Sequence, residues 1–100
     1  MGRTIVTSII AKEKLEDLFE FLIKKWSYKV KTDFVQKLDR SIDIIKDQPE
    51  IFPESQTEKG LRKCVITKQT TLYYRFDDEK IYIVTIFDTR KDPQKLKKNL

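Results

Sequence analysis

Cationic side chains begin, interrupt or follow three apolar segments in the second half of the chain. Arg62 and Lys63 stand at the start of one segment, Arg75 lies within the next, and Arg90 and Lys91 follow the last. A guanidinium group donates two parallel hydrogen bonds to a phosphate or carboxylate, whereas a lysine ammonium group attracts the same anions as a point charge. These residue types therefore predict recognition of an anionic partner.

Two tyrosines adjoin these cations. Side chains alternate across a strand, so Tyr73 and Arg75 point to one face of their predicted strand and Tyr74 points to the other. A tyrosine ring can stack on a nucleic-acid base or cover an apolar side chain of a protein partner. Either Tyr73 or Tyr74 is therefore a candidate contact beside the arginines.

A purely structural role for two of the arginines is the alternative. Arg75 and Arg90 can form ion pairs at the sheet edge with Asp77 or Asp88, which lie nearby in the sequence. The pattern of residues leaves both interpretations open.

Composition excludes several catalytic chemistries. The chain has no histidine, which removes Ser-His and Cys-His nucleophile pairs and imidazole acid–base catalysis. Its single cysteine, Cys64, lies in an alternating apolar segment and is typical of a small core residue. There is no phosphate-binding loop, dinucleotide fingerprint or metal-ligand spacing, so we expect no cofactor and no metal.

The length and charge predict one compact domain, residues 1–100. Of the 100 residues, 39% are hydrophobic and 37% are charged, which is typical of a folded domain and not of a disordered chain. The net charge of +5 is unevenly distributed, because residues 1–50 contribute +1 and residues 51–100 contribute +4. The first ten residues lack the apolar run of a signal peptide and no segment is long enough to span a bilayer, so we expect a cytoplasmic protein.

Hydrophobic periodicity predicts the element order β-α-α-β-β-β, an α+β fold. The predicted elements are a strand over Arg3–Ile9, helices over Lys12–Trp26 and Tyr28–Asp47, and strands over Leu61–Thr67, Thr71–Phe76 and Ile81–Phe87. Short connections predict a helical hairpin packed on one face of a mainly antiparallel sheet. The other face is expected to be partly open, and a three-stranded meander is expected to gather the cations there.

Several core positions are also expected. Trp26 falls at helical spacing and predicts a core anchor, and Ile51 and Phe52 are expected to tuck into the core from an irregular connection. Strict alternation in the last strand groups Ile81, Ile83 and Phe87 on one face, against Tyr82, Val84 and Ile86 on the other.

Four segments, taken in order, resemble the RelE/ParE superfamily of small bacterial toxins. They are "IAKEKLEDLFEFLIKKW", "FVQKLDRSIDIIKDQPEIFPES", "GLRKCVITKQTTLYYRF" and "IYIVTIFDTRKDPQKL". The resemblance extends from about Ile5 to Leu96, and its specificity comes from the order and spacing of these segments.

This resemblance implies the toxin of a type II toxin–antitoxin, or plasmid stabilisation, system. A cognate acidic antitoxin would neutralise the toxin. The resemblance is compatible with a homodimer and with a heterotetramer that includes the antitoxin. RelE-like members cleave mRNA on the ribosome, whereas ParE-like members poison DNA gyrase. If the chain were a ribonuclease, Arg62 and Arg90 would be its catalytic residues.

Two departures from the RelE pattern favour the ParE branch. Thr71 stands where the resemblance expects a catalytic arginine, and Leu96 stands near the place of a C-terminal catalytic tyrosine. A missing charge-stabilising donor costs about 3–4 kcal/mol of transition-state stabilisation. We therefore expect growth inhibition by binding a macromolecular target, gyrase first; a RelE-type endonuclease and an inactive antitoxin-binding remnant are the alternatives. The expected binding surface comprises Arg62, Lys63, Tyr73, Tyr74, Arg75, Arg90 and Lys91.

Overall fold

The computed structural model describes residues 3–56 and 58–90, and it has the predicted order of elements. The elements are β1 (Thr4–Thr7), α1 (Ile9–Lys25), α2 (Tyr28–Asp47), a 3-10 helix (Pro49–Ile51), β2 (Arg62–Val65), β3 (Thr70–Phe76) and β4 (Lys80–Asp88). The bounds of α2 are as predicted. Helix α1 begins earlier than predicted, because the Ser8 hydroxyl accepts a hydrogen bond from the Ala11 N–H at 2.9 Å and caps the helix there.

The four strands form one sheet in the order β1-β4-β3-β2. Strand β1 runs parallel to β4, and the other two pairings are antiparallel, so the mainly antiparallel sheet is confirmed. Strand β4 is central, because β1 and β3 flank it on either side.

The helical hairpin covers one face of the sheet, here termed the helix-covered face. The core between the two layers is apolar, with Leu18 and Leu22 from α1 and Phe34, Leu38 and Ile45 from α2. The predicted burial of Cys64 is confirmed, since its side chain is 1% exposed. Among the described residues, neither helix combines the length and the apolar character that a membrane span requires.

A β-bulge in β4 decides which side chains face the helices. Tyr73 pairs with Thr85 but Tyr74 pairs with Ile83, so Val84 is an extra residue on β4. A one-residue shift exchanges the two faces of a strand. Beyond Ile83 the predicted alternation is therefore wrong: Ile86 is buried under the helices together with Ile81 and Ile83. Phe87 instead shares the opposite face, here termed the open face, with Tyr73.

Two predicted core residues lie on the surface. Trp26 is 60% exposed, because it follows the last turn of α1 and lies beyond the part of the helix that contacts the sheet. Ile51 is 51% exposed, whereas its neighbour Phe52 packs against the core as predicted. The ring of Phe52 meets the ring of Tyr74 edge to face, with 6.4 Å between centroids.

Replacing Tyr74 with Phe should destabilise the fold. The Tyr74 side chain is 0% exposed, and its hydroxyl donates to the Pro49 carbonyl oxygen at 2.5 Å. The substitution leaves a buried carbonyl unpaired, so we expect the free energy of unfolding in urea to fall by about 1–3 kcal/mol. Tyr82→Phe is the matched control, since this tyrosine is 37% exposed and its loss should change stability by less than about 0.5 kcal/mol. Equal effects of the two substitutions would contradict the role of the Tyr74 hydroxyl.

Candidate functional site

Two aromatic rings form the floor of the open face. Tyr73 and Phe87 meet edge to face, with 5.8 Å between ring centroids and 86° between ring planes. Lys63 lies directly opposite Tyr73 in the β2–β3 register, and Arg75 follows two residues later on the same face. Burial raises the pKa of Tyr73 above its ordinary value of 10, and the protonated phenol can donate a hydrogen bond. The open face thus combines apolar rings with cations at their margin.

A cavity of about 210 Å³ lies on this floor. It is lined by Ser55, Glu58, Leu61, Tyr73, Val84, Thr85 and Phe87. The segment before β2 forms one wall and is held to the strand by backbone bonds, including that from the Lys63 N–H to the Pro53 carbonyl at 3.0 Å. A cavity of about 150 Å³ accommodates benzene, so this one has room for an apolar side chain of a partner.

Three cations, Lys14, Lys63 and Arg75, are each next to a residue that lines the cavity. Because β1 pairs only with Lys80–Ile83, the rest of β4 is bordered by α1, and Lys14 Nζ lies 4.1 Å from the centroid of the Phe87 ring. Arg75 pairs with Glu58 at 2.9 Å, and it also donates to the Lys59 carbonyl at 3.1 Å. The open-face site is defined here as Lys14, Lys63, Tyr73, Arg75 and Phe87.

Arg62 lies on the helix-covered face, away from this site. It is opposite Tyr74 in the register, and one guanidinium nitrogen donates to the carbonyl oxygens of Glu50 at 3.1 Å and Phe52 at 2.6 Å. A second nitrogen lies 3.8 Å from the Glu54 carboxylate, and the side chain is only 20% exposed. Its donors therefore hold the 3-10 helix and the following residues against the sheet.

Tyr74 is also inaccessible to a partner. Its ring is fully buried, and burial is the main cause that raises the pKa of its hydroxyl to about 12. Of the two candidate tyrosines, only Tyr73 faces the open side of the sheet.

Arg90 clamps the end of β4. Its guanidinium donates to both carboxylate oxygens of Asp88, at 3.0 and 2.8 Å, and the Thr70 hydroxyl donates to the same carboxylate. Burial alone would raise the pKa of Asp88, but the hydrogen bonds from Arg90 and Thr70 outweigh burial and lower it. Arg90 also lines a separate cavity of about 220 Å³ beside α2. The predicted arginine–aspartate pair is therefore confirmed for Arg90.

The expectation that the cations share one open face is wrong. Arg62 and Lys63 are consecutive, so they point to opposite faces, and Arg90 turns back to Asp88 on the helix-covered face. Arg75 is paired with Glu58, and with neither aspartate that the sequence suggested. Lys91 and Leu96 lie outside the described residues.

Sequence reasoning did not identify Lys14 or Phe87 as members of the site. Phe87 reaches the open face only because of the bulge, and Lys14 reaches it only because α1 crosses the edge of β4 beyond β1. Neither placement has a local sequence signal. In the part of the chain that the structure describes, no group of His, Cys, Asp and Glu has the arrangement of a metal site.

Comparisons with known proteins agree with this architecture. The sequence model of the family described as "ParE toxin of type II toxin-antitoxin system, parDE" matches residues 7–93. A comparison with curated protein sequences gave no significant match.

Similar solved structures belong to toxin–antitoxin systems. The chromosomal ParDE system from P. aeruginosa contains a chain with a TM-score of 0.72 and 11% identity, covering 87% of this chain and 96% of that one. The E. coli DinJ-YafQ complex gives a TM-score of 0.61 at 14% identity, covering 91% and 97%. The YoeB/ParE toxin from Agrobacterium tumefaciens gives 0.62 at 15% identity, covering 85% and 96%. At these identities the likeness shows the fold.

The chain belongs to the ParE toxin family of type II toxin–antitoxin systems, since the family match spans most of its length. The resemblance to the RelE/ParE superfamily, and to its ParE branch, is confirmed.

Replacing Asp88 with Asn should destabilise the protein in a pH-dependent way. The pKa of Asp88 is lower in the folded protein than its ordinary value of 3.8, so the ionised carboxylate stabilises the fold above that pH and this contribution is lost as the pH falls through the lowered pKa. We expect Asp88→Asn to lower the free energy of unfolding by about 1.5–3 kcal/mol at neutral pH. The difference from wild type should shrink as the pH falls below 3.8 and through the lowered pKa of Asp88.

Urea unfolding of wild type and Asp88→Asn, at neutral pH and at acid pH, measures this difference in the free energy of unfolding. Asp78→Asn is the control, because Asp78 lies exposed in the β3–β4 turn and the substitution should have little effect at either pH. A deficit of equal size at neutral and acid pH would show that the charge of Asp88 is not the stabilising feature.

Proposed function

We propose that this toxin is neutralised by a cognate acidic antitoxin and inhibits growth by binding a macromolecular target, with DNA gyrase as the first candidate. The match to the ParE family over residues 7–93 is the observation that carries this proposal. Binding without hydrolysis is further supported by what the arginines contact.

The two arginines suggested for a ribonuclease are engaged by the protein itself. Arg62 donates to two carbonyl oxygens, and Arg90 donates to both oxygens of Asp88. Each side chain is about 20% exposed. Charge stabilisation in a phosphoryl transition state needs donors already aimed at the substrate, and redirecting Arg90 would leave the buried Asp88 carboxylate without its cationic partner.

The position of Thr71 also favours a binding function. Thr71 stands where the resemblance expects an arginine, and it is half-buried between Val65 and Phe87 in the register. Its neutral hydroxyl can donate one hydrogen bond but cannot compensate the charge of a phosphorane.

The open-face site fits a segment of an acidic antitoxin. Two of the similar structures are the E. coli DinJ-YafQ toxin–antitoxin complex and the P. aeruginosa ParDE toxin–antitoxin system. In this chain the cavity beside Tyr73 can take an apolar side chain, and Lys14, Lys63 and Arg75 can pair with flanking carboxylates. Because the Arg75–Glu58 pair is largely exposed, a carboxylate of the antitoxin can replace Glu58 at little cost.

Expression of the chain alone should arrest bacterial growth, and co-expression of the antitoxin from an adjacent reading frame should restore it. We expect loss of gyrase-dependent plasmid supercoiling and a DNA-damage response, with cellular mRNA intact by primer extension. Discrete cuts in mRNA would instead indicate a RelE-type endonuclease. Tight antitoxin binding together with normal growth at verified expression would indicate an inactive remnant.

Reversing the open-face charges should weaken antitoxin binding. We expect the double substitution Lys63→Glu and Arg75→Glu to raise the Kd for the antitoxin by at least about tenfold, measured by calorimetry at low salt, because each carboxylate would repel the acidic segment. The control is Lys37→Glu with Arg40→Glu, the same change of charge at exposed positions on α2. A larger effect from the control pair would place the antitoxin on the helices instead.

A further inference from the structure

A second surface of different chemistry lies at the turn between α1 and α2. It is termed here the hairpin tip and comprises Ile23, Lys24, Lys25, Trp26, Tyr28, Lys29 and Lys31. Trp26 is 60% exposed, Tyr28 is 67% exposed and Ile23 is 40% exposed. Exposed large apolar side chains that lie together are typical of an interaction surface, whereas single ones are ordinary.

The charge at the hairpin tip has one sign. Residues 21–32 contain four lysines and no acidic residue. Lys24 and Lys29 each contact one carboxylate just outside this range, Glu20 and Asp33, both at 3.2 Å. These are exposed i,i+4 pairs of small stabilisation, so they can give way to a partner's carboxylates.

The backbone that carries the apolar side chains of the tip is hydrogen-bonded at the turn. The N–H groups of Trp26 and Ser27 both donate to the Leu22 carbonyl at 3.0 Å, and the Ser27 hydroxyl accepts from the Val30 N–H at 3.1 Å. Lys31 Nζ lies 5.5 Å from the centroid of the Tyr28 ring. A backbone that is already ordered before binding loses little entropy in a complex, which favours affinity.

Resting on the function proposed above, we propose that the hairpin tip docks the toxin's protein target, through an apolar pocket with an acidic rim on that target. Trp and Tyr are the side chains that most often dominate the affinity of protein interfaces, and they lie at the centre of the tip. The surrounding lysines suit the rim, where charge complementarity accelerates association and selects the partner.

The tip is separate from the open-face site. Trp26 is twelve residues from Lys14, which corresponds to about 18 Å along the helix axis. An antitoxin seated on the open face therefore need not contact the tip. Neutralisation then requires the bound antitoxin to exclude the target sterically.

Other occupants fit the tip less well. A second copy of the chain would bring two sets of four lysines together, which is repulsive. Nucleic acid would meet the carboxylates of Glu20 and Asp33 at the border, and the tip has no arginine to bind phosphate through two hydrogen bonds. A protein target with an apolar pocket can bury both the aliphatic and the aromatic side chains that the tip exposes.

The test is the double substitution Trp26→Ala with Tyr28→Ala, which leaves the Ser27 cap unchanged. The control is Ile44→Ala with Ile51→Ala, two large apolar residues exposed elsewhere by 45% and 51%. We expect the tip variant to lose growth arrest at matched expression, and the concentration needed to inhibit purified gyrase supercoiling to rise at least about tenfold. The Kd of the tip variant for the antitoxin should stay within about twofold of wild type, and its free energy of unfolding in urea should be unchanged. The control variant should behave as wild type in all of these measurements.

The outcomes separate this inference from the function on which it rests. If wild type arrests growth and the tip variant arrests it equally, the tip inference is wrong and the proposed function stands. Wild-type protein that fails to arrest growth would overturn both. Loss of antitoxin binding in the tip variant would assign the tip to the antitoxin. Tip-dependent sedimentation with phosphatidylcholine–phosphatidylglycerol vesicles, or tip-dependent binding of duplex DNA, would replace the protein target with a membrane or nucleic acid.

Discussion

The extra residue Val84 in the central strand sets the orientation of everything that follows it. Without the bulge, Phe87 would point into the helical layer and Ile86 would point to the open face. With it, Ile86 completes the apolar core, and Phe87 joins Tyr73 to form the floor of the open-face site. The same shift puts Asp88 on the helix-covered side, where Thr70 and Arg90 satisfy its carboxylate. Bulges in this way re-aim side chains near functional surfaces.

Arginine has two distinct physical roles in this small domain. Arg62 and Arg90 are largely covered, and their donors satisfy carbonyl and carboxylate oxygens that would otherwise be costly to bury. Arg75 is more exposed, and its partner Glu58 also lies at the surface. A guanidinium group that is largely covered and bonded to oxygens of its own fold is poorly placed to bind a ligand, whereas one in an exposed pair can exchange partners.

The two candidate surfaces differ in the way apolar area and charge are combined. On the open face the aromatic rings lie at the base of a cavity and the cations stand at its margin, which suits an extended acidic segment carrying an apolar side chain. At the hairpin tip the aromatic side chains protrude and the lysines surround them, which suits insertion into a partner. Under the function proposed above, the toxin binds an antitoxin and a separate target, and two separate surfaces would allow the affinity for each to be set independently.

The sequence by itself determined the order of elements, the α2 bounds and the family, because helical periodicity, Gly and Pro positions and motif spacing are local or linear properties. It also indicated that Tyr73 and Arg75 share one face, since they lie on a single strand and alternate regularly. Only the tertiary structure decided the rest. Arg62 points toward backbone carbonyl oxygens and Arg90 toward a carboxylate, because the fold brings these acceptors close to them. Trp26 is exposed because the sheet ends before the hairpin tip does, and Lys14 meets Phe87 because β1 is too short to separate them. Such placements depend on where elements end relative to one another, which no local pattern of residues encodes.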